Sequence, residues 1–293
     1  MCDEHDLDNM SDQQSRSREL TRRHFGAGTL AAGLAAVVLP RAADAATVVE
    51  SEVTVRTPDG TADAYFVHPA RGRHPAVLIW TDIFGLRPAF RQMGRRLAES
   101  GYSVLVPNPF YRTQRAPIVP EGASLQDDAT RKTLMGMMSS LTPATQEVDA
   151  KAFIAYLDAQ RSVDRKRRMA TTGYCMGGPI TMRTAAAFPE RIGAAASFHG
   201  GGLVTDKPDS PHLLVPKMRA QYLIAIAEND DQRQPDAKDV LRKAFDAAKL
   251  PAEIEVYAGA MHGWCPPGSA AYNEVQAERA WTRMLALFGK ALA

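Results

Sequence analysis

The amino-acid sequence predicts an α/β fold, a single domain with a mostly parallel sheet flanked by helices on both faces. Two observations predict it. From residue 76 onward, short apolar runs alternate with longer segments of helical periodicity, which implies parallel strands joined by crossover helices. The runs themselves, such as Ala76–Trp80 and Gln221–Ala227, are apolar at nearly every position, as strands buried on both faces are.

Taken in order, Val53–Arg56 and Ala64–Val67, on either side of Pro58-Asp59-Gly60, read as an antiparallel hairpin. Ala76–Trp80 is the first buried strand. Pro88–Gly101 sets Phe90, Met93 and Leu97 on one helical face and stops at Gly101. Ser103–Val106 is the next strand. The segment 108–126 is rich in Pro and turn residues and long for a connection, which makes it a candidate functional loop. Ala144–Gln160 is an amphipathic helix with Val148, Phe153, Ile154 and Leu157 on one face. Strands follow at Arg168–Gly173, Ala194–Phe198, Gln221–Ala227 and Glu253–Tyr257, and helices at Gly177–Phe188, Pro235–Leu250 and Tyr272–Leu292. No internal repeat or low-complexity linker divides residues 46–293, so they form one domain.

The start of the chain reads as an address. Residues 1–20 are polar and acidic, and disorder is expected there. Arg22-Arg23-His24-Phe25 then precedes an uncharged run, Gly26–Leu39, and the small residues Ala42-Ala43-Asp44-Ala45-Ala46. That order is the layout of a cleavable secretory signal, and the paired arginines resemble a twin-arginine signal. The apolar run falls short of the ~20 residues that span a bilayer. Cleavage after Ala45 and a periplasmic or secreted protein are expected, with an uncleaved membrane anchor as the alternative.

Composition narrows the partners. The 293 residues are 45% hydrophobic and 23% charged, with a formal net charge of +2, too weak a balance to suggest nucleic acid. A small-molecule substrate, no membrane contact after signal cleavage and a monomer are expected. Of the three cysteines, Cys175 and Cys265 lie beyond residue 46, too few for a disulfide scaffold.

The sharpest chemical signal is Gly173-Tyr174-Cys175-Met176-Gly177-Gly178 between a predicted strand and helix. It has the form G-x-S-x-G of a nucleophile elbow, with Cys in the Ser position. The tight turn leaves the thiol at a helix N-terminus, which favours the thiolate and aims backbone N–H groups at an oxyanion. The alternative is a structural cysteine beside a glycine-rich helix start. An acid and a base follow in the required chain order: Asp230, with Asp231 beside it, after Gln221–Ala227, and His262 after Glu253–Tyr257. The oxyanion donors are the backbone N–H groups of Met176 and Ile83, the latter in the loop after the first buried strand. His199-Gly200-Gly201-Gly202 has the composition of an oxyanion motif but follows the elbow, so it reads as a strand-end turn beside the pocket.

Together, Asp82-Ile83-Phe84-Gly85, Pro107–Arg112, Gly173–Gly178, Ala227–Asp230 and His262-Gly263-Trp264 resemble the dienelactone hydrolase (carboxymethylenebutenolidase) family. The resemblance implies a single-domain α/β-hydrolase fold, no metal or organic cofactor, and hydrolysis of an ester or lactone through an acyl-enzyme. It puts Cys175, Asp230 and His262 in the triad positions. Asp82, Arg112, Tyr174, His199 and Trp264 become substrate-binding or accessory residues. Asp82 stands where dienelactone-cleaving members have a Glu that contacts the resting thiol. Arg112 matches an arginine that holds the substrate carboxylate, while the second such arginine, after the catalytic His, is replaced by Trp264-Cys265-Pro266. Two other classes remain: a binding protein on the same fold, and a thiol-redox protein pairing Cys175 with Cys265.

Overall fold

The computed structural model describes residues 46–293; the expected signal segment, 1–45, lies outside the described residues. Eight strands form one sheet: β1 (Val48–Thr57), β2 (Gly60–Pro69), β3 (Ala76–Trp80), β4 (Ser103–Pro107), β5 (Met169–Tyr174), β6 (Ile192–Phe198), β7 (Gln221–Ala227) and β8 (Ala252–Tyr257). Their spatial order is β1-β2-β4-β3-β5-β6-β7-β8. The β1–β2 and β2–β4 pairs are antiparallel, and every later pair is parallel.

The helices are α1 (Pro88–Glu99), α2 (Asp128–Met138), α3 (Pro143–Ala159), α4 (Gly177–Ala187), α5 (Glu228–Arg233), α6 (Ala237–Ala247) and α7 (Glu274–Ala291). Alternate residues of the central strands feed two cores. Leu78 and Trp80 pack with Phe153 of α3, Ile180 of α4 and Phe245 of α6. Val77 and Ile79 pack with Phe90 of α1 and Met284 and Phe288 of α7. The sheet is therefore covered on both faces, as the continuous apolar strands require.

Strand positions agree with the sequence reading, whereas some helices do not. The hairpin runs longer at both ends than expected because cross-strand pairing, from Val48↔Pro69 to Thr57↔Gly60, recruits polar edge residues without strong strand propensity. The expected helix Pro235–Leu250 is α6 alone, with α5 before it on the acidic residues that follow β7, for which no helix is expected from the sequence. Helix α2 went unforeseen. It follows the proline-rich loop and is capped by the Asp127 side chain, which accepts from Thr130 N–H at 2.8 Å. The loop is itself braced, since the Asp63 carboxylate accepts from Asn108 Nδ2 (3.0 Å) and from Ala116 N–H (2.9 Å).

Candidate active site

The site lies at the C-terminal edge of the parallel strands, where open α/β sheets carry their ligands. Cys175 follows β5 directly, with φ of 53°, in the left-handed region that non-glycine residues enter only when held there. The flanking glycines are required by close approach. A Cβ on Gly173 would lie 2.1 Å from the Gly177 carbonyl oxygen, and one on Gly177 2.4 Å from the Trp80 carbonyl oxygen. The second contact sets the start of α4 against the end of β3. It brings the Met176 backbone to the same edge as the loop that carries Ile83.

α5 supports the base. Asp230 Oδ2 lies 2.7 Å from His262 Nδ1. The preceding Asn229 accepts the His262 backbone N–H at 2.8 Å, and the Glu228 carboxylate accepts Gly259 N–H at 2.7 Å. Three consecutive side chains of one short helix thus hold the loop 259–262. Arg233 donates to Asp230 Oδ1, the oxygen opposite the histidine. Asp231 is paired with Lys238 at 2.7 Å, so Asp230 is the carboxylate on the His262 Nδ1.

His199 joins this group to the elbow. Its Nδ1 accepts the Cys175 backbone N–H at 3.1 Å, and its ring meets His262 edge-to-face with centroids 5.0 Å apart. Nucleophile, acid and base candidates are therefore assembled in one cluster, with the imidazole of His262 buried.

Of the expected accessory residues, His199 sits in the strand-end turn beside the elbow, as expected, whereas the others have different surroundings. His199, Tyr174 and Trp264 are buried beneath the cluster, exposed by 1%, 2% and 0%. Tyr174 belongs to the core on the α1/α7 face, stacked on Phe198 at 5.1 Å, and burial pushes its phenol far up. Trp264 stacks on Tyr257 at 5.3 Å and meets the His199 ring at 5.0 Å. The Asp82 carboxylate is engaged by both terminal nitrogens of Arg87, at 2.5 and 2.7 Å, and by Phe84 N–H at 3.0 Å. Arg112, expected to hold a substrate carboxylate, is occupied by protein carboxylates. It donates to both oxygens of Asp149 at 2.7 Å and to Asp59 at 2.6 Å. Asp149 is fully buried on α3, and burial pushes its carboxyl up despite the hydrogen bonds from Arg112 and Tyr111.

Cys265 bears on the redox alternative. It is a free, buried thiol in the α1/α7 core, whereas Cys175 packs against the opposite core. Burial pushes the Cys265 thiol well up. Both thiols are free and they pack against different cores, which argues against the redox pair that the sequence left open. Sequence reasoning missed Asn229, Arg233, Arg87 and Asp149; only Arg233, three residues after Asp230, had the spacing of a helical ion pair.

Comparison with known proteins gives consistent matches. The family model described as "Dienelactone hydrolase family" matches residues 62–292. The Rhodococcus opacus protein named "Carboxymethylenebutenolidase" is 26% identical over 247 residues, covering 81% of this chain and 90% of its own. An Escherichia coli (strain K12) protein, "Putative carboxymethylenebutenolidase", is 28% identical over 273 residues, covering 92% and 96%. Among solved structures, a "Putative Dienelactone Hydrolase" from Klebsiella pneumoniae superposes with a TM-score of 0.72 at 27% identity, covering 83% of this chain and 99% of that one.

Proposed function

Because the chain belongs to the dienelactone hydrolase family and is an ester or lactone hydrolase, we propose that it works through a Cys175–His262–Asp230 triad and a thioester acyl-enzyme. The observation that carries this reading is the 2.7 Å Asp230–His262 contact, beside an elbow that carries a half-buried cysteine at its turn.

The Cys175 thiolate adds to the substrate carbonyl, and the resulting oxyanion is received by the backbone N–H groups of Met176 and Ile83. Collapse breaks the C–O bond, and the leaving oxygen takes the proton from the His262 imidazolium. Water then attacks the thioester as His262 removes its proton, and the acid departs with the thiolate restored. Asp230 fixes the His262 proton on Nδ1 and stabilises the imidazolium without itself being protonated.

Good leaving groups suit this chemistry, so enol lactones and activated small esters are the proposed substrate class. The commitment of Arg112 to Asp149 and Asp59, and of Arg87 to Asp82, favours an uncharged substrate over a carboxylate-bearing one. Hydrolysis of a dienelactone and of p-nitrophenyl acetate, beside Cys175→Ala, tests the reading. Turnover of the neutral ester by the wild type, lost in the variant, is the expected result; equal turnover by the variant overturns it.

We also propose export by the twin-arginine route, supported by Arg22-Arg23, the apolar run Gly26–Leu39 and the Ala43-Asp44-Ala45 site. Loss of the exported form in Arg22→Lys/Arg23→Lys is the expected outcome, and unchanged export contradicts it.

A further inference from the structure

β5 and β6 run parallel with Tyr174 paired to Phe198, so Cys175 and His199 leave the sheet side by side. Both then turn into the left-handed region, with φ of 53° and 40°. Two adjacent non-glycine residues in that region require a local constraint. Here it is mutual, because the Cys175 N–H is shared between the Phe198 carbonyl (3.0 Å) and His199 Nδ1 (3.1 Å). The His199 ring also packs edge-to-face on His262 and on Trp264, each at 5.0 Å. At 1% exposure it is out of reach of substrate.

We propose that His199 is a positioning residue: Nδ1 clamps the nucleophile turn, and the ring seats the His262 imidazole, so thiol and base stay aligned. The proposal rests on the triad reading. An imidazole that accepts at Nδ1 carries its proton on Nε2, and Nε2 has no hydrogen-bond partner among the described residues. Burial, the neighbouring His262 and, less strongly, Arg87 push the His199 pKa well down. The ring therefore stays neutral while His262 accepts and returns a proton.

Two variants separate the contacts. His199→Asn tolerates the left-handed backbone and keeps a short acceptor, but lacks the ring. His199→Phe keeps a ring and loses the acceptor. Each is compared with wild type in ester kinetics, thermal unfolding and the pH dependence of Cys175 alkylation by iodoacetamide, which needs no knowledge of the substrate. On the triad reading, wild-type alkylation is expected to be fast below the ordinary thiol range near pH ~8.5. In each folded variant kcat falls about tenfold or more with KM within about threefold, and alkylation moves toward the ordinary range. Wild-type kcat and alkylation in either variant, or a loss confined to KM, overturns the proposal. If His199→Phe does not fold, His199→Asn alone decides the matter on the same terms. Wild-type alkylation that already follows an ordinary thiol means that the triad reading has failed, and this proposal with it. An activated wild type matched by both variants means that only the role of His199 has failed.

Discussion

His262 is held by two consecutive residues of one short helix: Asp230 on its Nδ1 at 2.7 Å and Asn229 on its backbone N–H at 2.8 Å. One contact sets the tautomer and the other sets the position of the loop, so their losses should differ in kind. Asp230→Asn is expected to lower kcat by at least about a hundredfold with little change in KM, because the amide stabilises the wrong tautomer. Asp231→Asn, which removes only the partner of Lys238, should stay within about twofold of wild type. Steady-state kinetics on a neutral ester check both; a larger loss in Asp231→Asn would move the acid assignment.

Asn229→Ala leaves the His262 N–H without its acceptor in a buried loop. The expected cost is about 1–2 kcal/mol of stability, read by denaturant unfolding, and a several-fold drop in kcat. Unchanged stability would show that solvent replaces the lost oxygen.

Arg233 places a permanent positive charge on Asp230, opposite the imidazole. Positive charge disfavours protonated states nearby, so removing it favours them. In Arg233→Gln both limbs of the kcat/KM pH profile should move to higher pH by about half a unit, and Arg233→Lys should restore much of the wild-type position. A shift to lower pH contradicts this account of the pair.

His199 gives a stability signature of its own. Burial and His262 push its pKa well below the ordinary value, so below pH ~6.5 the unfolded chain binds a proton that the folded one refuses. Its contribution is present above the unfolded pKa and is lost as pH falls below it, by up to about 1.4 kcal/mol per pH unit. Stability measured from pH ~6.5 down to ~4.5 should fall less steeply in His199→Asn than in wild type. Equal slopes would mean that His199 charges in the folded protein.

The Arg112–Asp149 pair predicts stability without catalysis. Asp149→Ala removes the buried partner of Arg112, which keeps only the exposed Asp59, and should cost up to about 3–5 kcal/mol in denaturant unfolding. Arg112→Ala should leave the ratio of kcat/KM for p-nitrophenyl acetate to that for mono-p-nitrophenyl succinate unchanged. A selective loss on the succinate ester would return Arg112 to the substrate-binding role that its sequence position suggested.

Strand positions were legible because a strand buried on both faces must be apolar throughout, as Ala76–Trp80 and Gln221–Ala227 are. The elbow was legible because its glycines answer to backbone contacts that permit no Cβ. Side-chain partnerships were not, since they join residues distant in sequence through contacts that leave no local pattern. Asp149 and Arg112 are 37 residues apart, and nothing around Arg112 indicates that α3 will present a buried carboxylate to it. Tyr174 and Trp264 misled because nearness to Cys175 and His262 in sequence does not carry over to the pocket: Tyr174 is the last residue of β5 and enters the α1/α7 core, and Trp264 reaches the same core after the turn at Gly263, whose φ is 91°.

The covalent intermediate is the central claim, and mass spectrometry after rapid acid quench tests it most directly. With p-nitrophenyl acetate in excess, one acetyl group should appear on the peptide that contains Cys175, and none in Cys175→Ala. Steady hydrolysis by the wild type with no acetyl group on that peptide, in a quench fast enough to precede deacylation, would contradict the acyl-enzyme account.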